Sequence, residues 1–358
     1  MLPLLHSDDP RVQFMTGGWR DWWDTFDRKV VRVLTLYVSW GCPDYGNTKG
    51  GERLPHRCVF CGLPSAASNF NQSFYGKPQL TSEEHFQLFR SALTAELQQE
   101  IPHTVNVFNA GSFAAMPVDL QLAIVRELAQ HPITGIVVDA RARLITSATL
   151  SRLMEILAPR NIRLTIRIGV ETKDERVRND ILGKGHSPEE ITTAVAAMKE
   201  SRVIAGAYAL LKPGPVPWFD DQGYRHEAIE TVRWLVEDLG FDEVYFRTGC
   251  VPEAPHTRLY SLWESGSFAP ATLWDTIAVL KTVAARFPGK VHLLPFKDEP
   301  PFVAIPSADN PRGIPETLED ASDLDKRFYE VFQLYRLTMN PLVLTAPLPL
   351  KQADLLGS

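Results

Sequence analysis

Short β-branched apolar runs alternate with amphipathic stretches along most of the chain, and this alternation restricts the fold more than any other feature. Residues 30–38 (VVRVLTLYV) read as a buried strand. A polar loop follows, and then a helix over 82–99 with Thr81 as N-cap and Glu84 completing a capping box. Further strands are predicted at 104–108, 135–139, 163–170, 204–211, 243–247 and 290–294. Helices near 118–130, 147–157, 188–200, 225–239 and 270–287 separate them. Continuously apolar strands divided by helices imply a mainly parallel sheet covered on its faces. Six to seven β/α units in about 270 residues predict an α/β chain with a partial or full (β/α) barrel. A doubly wound open sheet satisfies the same periodicity.

The two ends differ from this core. Residues 1–28 are aromatic-rich, with Trp19, Trp22 and Trp23, and are predicted to form an irregular N-terminal segment. Residues 29–294 are the barrel. Residues 295–358 form a C-terminal extension, loop-like at Pro295, Pro300, Pro301, Pro306, Pro311 and Pro315. Within it a helix is expected over 318–339, with Phe328, Val331, Phe332 and Tyr335 at helical spacing.

A composition of 44% hydrophobic and 22% charged residues is that of a packed domain and excludes a mostly disordered chain. The net charge of −6 provides no general basic field for a nucleic-acid backbone. No apolar run approaches a bilayer-spanning length, and the acidic N-terminus is unlike a secretory signal. The expected location is cytoplasmic, with no membrane partner.

The chain has four cysteines, too few for a disulfide scaffold, and Cys42, Cys58 and Cys61 fall within twenty residues. Their spacing is C-x15-C-x2-C, directly after the first barrel strand. Three thiolates leave one iron of a [4Fe-4S] cubane without a protein ligand, open to a chelating substrate, whereas an electron-carrier cluster takes four. With His56, the same cysteines compose a Cys3His zinc site, which is the structural alternative. A loop at the carboxyl end of a barrel strand is where such folds carry their chemistry.

An ordered set of segments resembles the radical-SAM superfamily. The set comprises the Gly41-Cys42 loop, 105–113 (VNVFNAGSF), 137–141 (VVDAR), 168–172 (IGVET), 183–186 (GKGH), 208–213 (YALLKP) and 262–266 (LWESG). The resemblance covers about residues 30–290, and it is to the elongator-type branch, near the radical-SAM subunits of archaeosine synthase. The first cysteine spacing departs from the usual C-x3-C-x2-C and is long, as in that branch. The resemblance implies a [4Fe-4S] cluster on Cys42, Cys58 and Cys61, with S-adenosylmethionine (SAM) as co-substrate. Phe60 then matches the aromatic that packs near the adenine. It also implies that Asn109, Gly111 and Ser112 meet the methionine amino group; a plain β/α turn is the bland alternative.

Other strand ends carry candidate side chains. Asp139 and Arg141, read as a pair, suit ribose hydroxyls or a carboxylate, or are a surface ion pair. Glu171 is a candidate for SAM ribose or substrate contact; Arg167, a further cofactor-binding candidate, alternates with Thr165 and Gly169 and so points into the barrel, or is a partner for Glu171. Lys184 and His186 precede a Ser187-Pro helix start, where an anion is favoured. Lys212, ending an apolar strand, and Cys250 are the catalytic candidates. Cys250 is a packed thiol or a hydrogen-atom donor; no fully cysteine-ligated second cluster remains open to it.

The expected activity is reductive cleavage of SAM to a 5′-deoxyadenosyl radical, with flavodoxin or ferredoxin as electron donor. The resemblance implies a modified 7-deazaguanine in tRNA as substrate. The acidic composition leaves a small molecule or a modified nucleoside as the expected class. Methyl or aminocarboxypropyl transfer and a zinc-stabilised binding protein are the alternatives.

Overall fold

The computed structural model describes residues 4–6, 13–38, 40, 48–49, 52–53, 58–59, 81–109, 111–249, 258–294 and 321–345. In chain order the strands and helices are β1 (Leu4–His6), β2 (Gln13–Asp24), β3 (Lys29–Tyr37), β4 (Thr48–Lys49), β5 (Glu52–Arg53), α1 (Ser82–Leu97), β6 (Thr104–Phe108), α2 (Val118–Leu128), β7 (Gly135–Ala140), α3 (Ser147–Leu157), β8 (Arg163–Glu171), α4 (Pro188–Glu200), β9 (Ile204–Lys212), α5 (Asp221–Arg233), β10 (Glu243–Gly249), α6 (Arg258–Glu264), α7 (Leu273–Arg286), β11 (Val291–Leu293) and α8 (Asp323–Thr338).

Seven strands, β3 and β6 to β11, pair in parallel and in sequence order. That order never reverses, which settles the architecture as a (β/α) barrel rather than a doubly wound sheet. Among the described residues no ladder joins β11 back to β3, so the barrel is open. Alternate residues explain its two faces. Leu34, Leu36, Val105, Val107, Ile136, Val138, Leu164 and Ile166 face the helices and form the main core. The opposite parity carries Thr35, Asn106, Asp139 and Arg167, all buried and polar. The predicted strands and helices agree with the observed ones to within a few residues. Thr81 and Glu84 make both arms of the α1 capping box.

One expectation is corrected. Within residues 1–28, the stretch Gln13–Asp24 is not irregular: it forms β2, which runs for 12 residues antiparallel to β3. Arg20 pairs with Val33 and Trp22 with Val31, so both face the barrel interior. The glycines conceal this strand in the sequence. The ladder breaks between Thr16 and Gly18, where Gly18 takes a φ of 74°, a conformation costly for other residues.

Side chains close the seam that the ladder leaves open. Trp22 of β2 stacks on His292 of β11, with ring centroids 5.2 Å apart. Thr25, just past β2, donates its hydroxyl proton to Glu243 at the start of β10. Helix α8 packs against β2, β3 and β11, and its Tyr335 hydroxyl donates to the Val291 carbonyl at 2.6 Å. Phe328, Phe332 and Tyr335 of α8 are buried in the main core, each contributing about 1.5–3 kcal/mol of burial.

Candidate active site at the carboxyl ends of the strands

The loop between β8 and α4 is the best-built feature of this end. Arg178 is fully buried. It donates Nε–H to the His186 carbonyl at 3.0 Å and a further N–H to the Thr172 carbonyl at 2.8 Å. Asn179 clamps His186 from both sides, donating to its carbonyl and accepting from its amide, each at 3.0 Å. A Ser187–Glu190 capping box then starts α4. The loop is thereby held rigid, and it presents Lys184 inward.

Lys184 Nζ donates to Glu171 Oε1 at 2.8 Å, and both side chains are buried. Glu171 has a φ of 72°, and the β8–β9 ladder is irregular between Gly169 and Glu171. A non-glycine residue held there stores strain, which is commonest at functional positions. Gly169 makes room for the pair: a Cβ there would sit 2.6 Å from Lys184 Nζ and 2.7 Å from Glu171 Oε1. Burial pulls the Lys184 pKa down, but the adjacent Glu171 carboxylate outweighs it and the net shift is upward. Lys184 therefore stays a cation.

Cys58 is buried against this loop. Its thiol lies 3.9 Å from the Gly183 carbonyl, to which it donates. Val59 donates its amide to the Leu182 carbonyl at 3.1 Å and accepts from the Leu259 amide at 3.1 Å. The cysteine segment is thus stitched between the β8–α4 loop and the start of α6. A thiolate is the metal-binding form of cysteine.

Arg141 donates to the Lys184 carbonyl through its guanidinium and, through its backbone amide, to Ser112 Oγ at 3.0 Å. Asn109 and Ser112 are fully buried. Asn109 Oδ1 accepts from the Gly111 amide at 3.3 Å, while Asn109 Nδ2 has no hydrogen-bond partner among the described residues. His186 Nδ1 is similarly orphaned. Burial, and then the charges of Lys184 and Arg141, push the His186 pKa down to about 2, so this ring is neutral. Leaving a buried donor unsatisfied costs about 1–3 kcal/mol, a cost that a bound ligand would remove.

The structure thus brings together Cys58, Ser112, Arg141, Glu171 and Lys184, with Asn109 and Gly111 at the adjoining strand end. Two expected pairings are corrected. Asp139 does not pair with Arg141, nor Arg167 with Glu171. Asp139 and Arg167 are direct neighbours in the β7–β8 register and bond to each other at 2.8 Å. Lys184 takes Glu171 instead, because the loop delivers it there. Lys212 is apart from this group: its Nζ pairs with Asp221 at 3.0 Å and lies 4.9 Å from the Tyr224 ring centroid. Cys42, Phe60, Cys61 and Cys250 lie outside the described residues.

Arg167 does point into the barrel, where it and Asp139 belong to a polar layer whose other members, Asn106, Tyr208 and Tyr245, are not site candidates from the sequence. Tyr208 donates to Asp139 at 2.9 Å, and Arg167 donates to Asn106 at 2.9 Å. Arg167 lies between the rings of Tyr208 and Tyr245, 5.3 and 5.2 Å from their centroids. Gly206 admits it, since a Cβ there would meet Tyr245 at 2.9 Å and Arg167 at 3.0 Å. Burial is the first cause that raises both tyrosine pKa values, so both stay neutral donors. Every-second-residue polarity at Thr35, Asn106, Asp139 and Arg167 was the available signal.

No family model matches the chain. By sequence the chain is related to archaeosine synthase subunit beta of Methanosarcina acetivorans, at 25% identity over 266 residues, covering 72% of this chain and 68% of the relative. An uncharacterised protein of Methanocaldococcus jannaschii is 22% identical over 270 residues, covering 73% of this chain and 67% of its own length. Among solved structures, Elp3 of Methanocaldococcus infernus is similar with a TM-score of 0.49 and 14% identity, over 76% of this chain and 61% of that one.

Proposed function

We propose that this chain is a radical-SAM enzyme of the elongator-type branch, with Cys42, Cys58 and Cys61 as ligands of a [4Fe-4S] cluster. The observation that carries the reading is Cys58: a buried thiol 3.9 Å from the Gly183 carbonyl, on the loop that presents the buried Lys184 at the carboxyl end of a (β/α) barrel. The donor set fits the group. Three thiolates hold three irons and leave the fourth open, and the orphaned Asn109 amide at the adjoining strand end is a donor available to a bound co-substrate. The sequence relation to archaeosine synthase subunit beta supports the same reading. When bound and reduced, the cluster supplies cleavage of SAM to a 5′-deoxyadenosyl radical, which abstracts hydrogen from the substrate.

The chain's own residues do the remaining work. Lys184 holds positive charge beside Cys58 and stabilises the bound thiolate. Glu171 and Arg141 fix Lys184 from its ammonium and its carbonyl, and Glu171 also presents a carboxylate for a ribose. Asn109 and Ser112 carry the methionine end of SAM. Asp139, Arg167 and Tyr208 form the floor under that site. Cys250 and Lys212 are the proposed groups on the substrate side. The substrate is a modified nucleoside or a small molecule, with tRNA as the carrier suggested by the relative's name. A flavodoxin or ferredoxin supplies the electron, and the location is cytoplasmic; no helix among the described residues is long and apolar enough to cross a membrane.

Anaerobic reconstitution tests this. The expected result is four irons and four sulfides per chain, charge-transfer absorption lost in Cys58→Ala, and 5′-deoxyadenosine formed with dithionite and SAM. Cys250→Ala is expected to keep the cluster. Tight zinc binding without a cluster, and no 5′-deoxyadenosine, would overturn the proposal in favour of a zinc-stabilised binding protein.

A further inference from the structure

The amino-terminal half of the barrel encloses a cavity of about 80 Å³, lined by Arg20, Trp22, Asn106, Thr165, Arg167 and Tyr245 among others. Its wall reaches up to Arg167, and none of the residues gathered around Cys58 belongs to it. Glu171 and Lys184 are not part of its wall, and the cavity spans from Arg167 down to Thr25 and Phe26 at the amino-terminal rim. Phe26 is exposed, so the rim is open to solvent.

The charges around this cavity are matched with one exception. Arg163 bonds to Asp24 at 2.6 Å and Arg167 to Asp139 at 2.8 Å. Glu243 accepts from Tyr245 at 2.6 Å and from Thr25, and lies 3.5 Å from His292. Arg20, half-buried on β2, meets no carboxylate among the described residues. Its one hydrogen bond there is to Thr35 Oγ1 at 2.9 Å. The same oxygen accepts from Asn106 Nδ2 at 3.4 Å. A guanidinium has five donors, and a single hydroxyl leaves the others open to solvent or to a guest in the cavity.

We propose that this cavity is a second binding site, for a small oxyanion of the carboxylate or phosphate class, anchored by Arg20. The guanidinium fork matches two oxygens of such an ion. Size favours a small guest: a cavity that admits benzene is about 150 Å³, and this one is roughly half of that. Trp22 supplies an apolar wall and a built-in reporter. Because Arg20 and Trp22 both sit on β2, a bound anion ties that strand to β6 and β8 across the barrel interior.

The test uses the cluster-loaded enzyme saturated with SAM, so that anion-binding groups at the other end are already engaged. Inorganic phosphate and acetate are titrated at constant ionic strength against chloride, reading tryptophan fluorescence and thermal stability. Saturable binding of one of them is expected at millimolar concentration. Arg20→Met is expected to weaken it about tenfold or more, the loss of charge-assisted hydrogen bonds, with Arg20→Lys intermediate. Trp22→Phe is expected to remove the fluorescence response while calorimetry still detects binding. Wild-type enzyme that distinguishes neither ion from chloride would overturn the proposal, and so would equal affinity in Arg20→Met. The wild-type titration stands whether or not the variants fold. Its outcome is independent of 5′-deoxyadenosine formation, so failure here leaves the proposed activity untouched.

Discussion

The two ends of the barrel are built by different means. At the carboxyl end, the β8–α4 loop brings Cys58, Lys184 and Glu171 together, and buried polar atoms there, Asn109 Nδ2 and His186 Nδ1 among them, have no hydrogen-bond partner among the described residues. At the amino end, Trp22, Thr25, Glu243 and His292 lock strands far apart in sequence, and the acids there are matched. One end holds a strained backbone at Glu171 and a buried donor at Asn109 open to a ligand; the other spends its contacts on closing the seam. The comparison teaches that an open barrel can leave its catalytic mouth unencumbered if side chains fasten the opposite end.

Substitutions break or sharpen this contrast. The largest effect is expected from Lys184→Met, which leaves Glu171 as a buried, unpaired carboxylate beside Cys58. Breaking such a pair costs about 3–5 kcal/mol, and chemical denaturation together with cluster retention would register both losses. Trp22→Ala comes next, at about 2–4 kcal/mol given its partial burial. Its signature is loss of stability and of seam protection in hydrogen exchange, with the cluster spectrum retained. If Trp22→Ala instead abolished the cluster with stability unchanged, the division between the two ends would fail.

The third effect depends on pH. Burial alone would raise the Glu243 pKa, but His292, Thr25 and Tyr245 hold the charged form and lower it to about 2. A carboxyl depressed in the folded state stabilises above its unfolded pKa and loses that contribution as pH falls through the folded value. Wild-type stability should therefore decline from the ordinary glutamate value of 4.5 down to about 2, and Glu243→Gln should flatten that slope in acid titrations of Tm. The smallest effect is expected at Thr81, outside both ends. Thr81→Ala removes one cap of α1 for about 1 kcal/mol, visible as a shift in the denaturation midpoint with activity unchanged.

The sequence by itself determined the β/α order, the helix starts at Thr81 and Ser187, and the cysteine loop after the first parallel strand. These are local: strand runs, capping boxes and ligand spacings are each written within a few residues. It also placed Glu171 and Lys184 at the right end of the barrel. It did not determine which charges meet. Asp139 finds Arg167 because parallel register sets them side by side, and Lys184 finds Glu171 because a loop clamped by Arg178 carries it inward. Strand β2 was hidden for a related reason. Its alternation is interrupted by glycines, and its identity as a strand comes from β3, Glu243 and His292, partners that only the folded chain brings within reach. Pairing energies across the barrel depend on separation in space, and that separation is a product of the whole barrel topology rather than of any local stretch of residues.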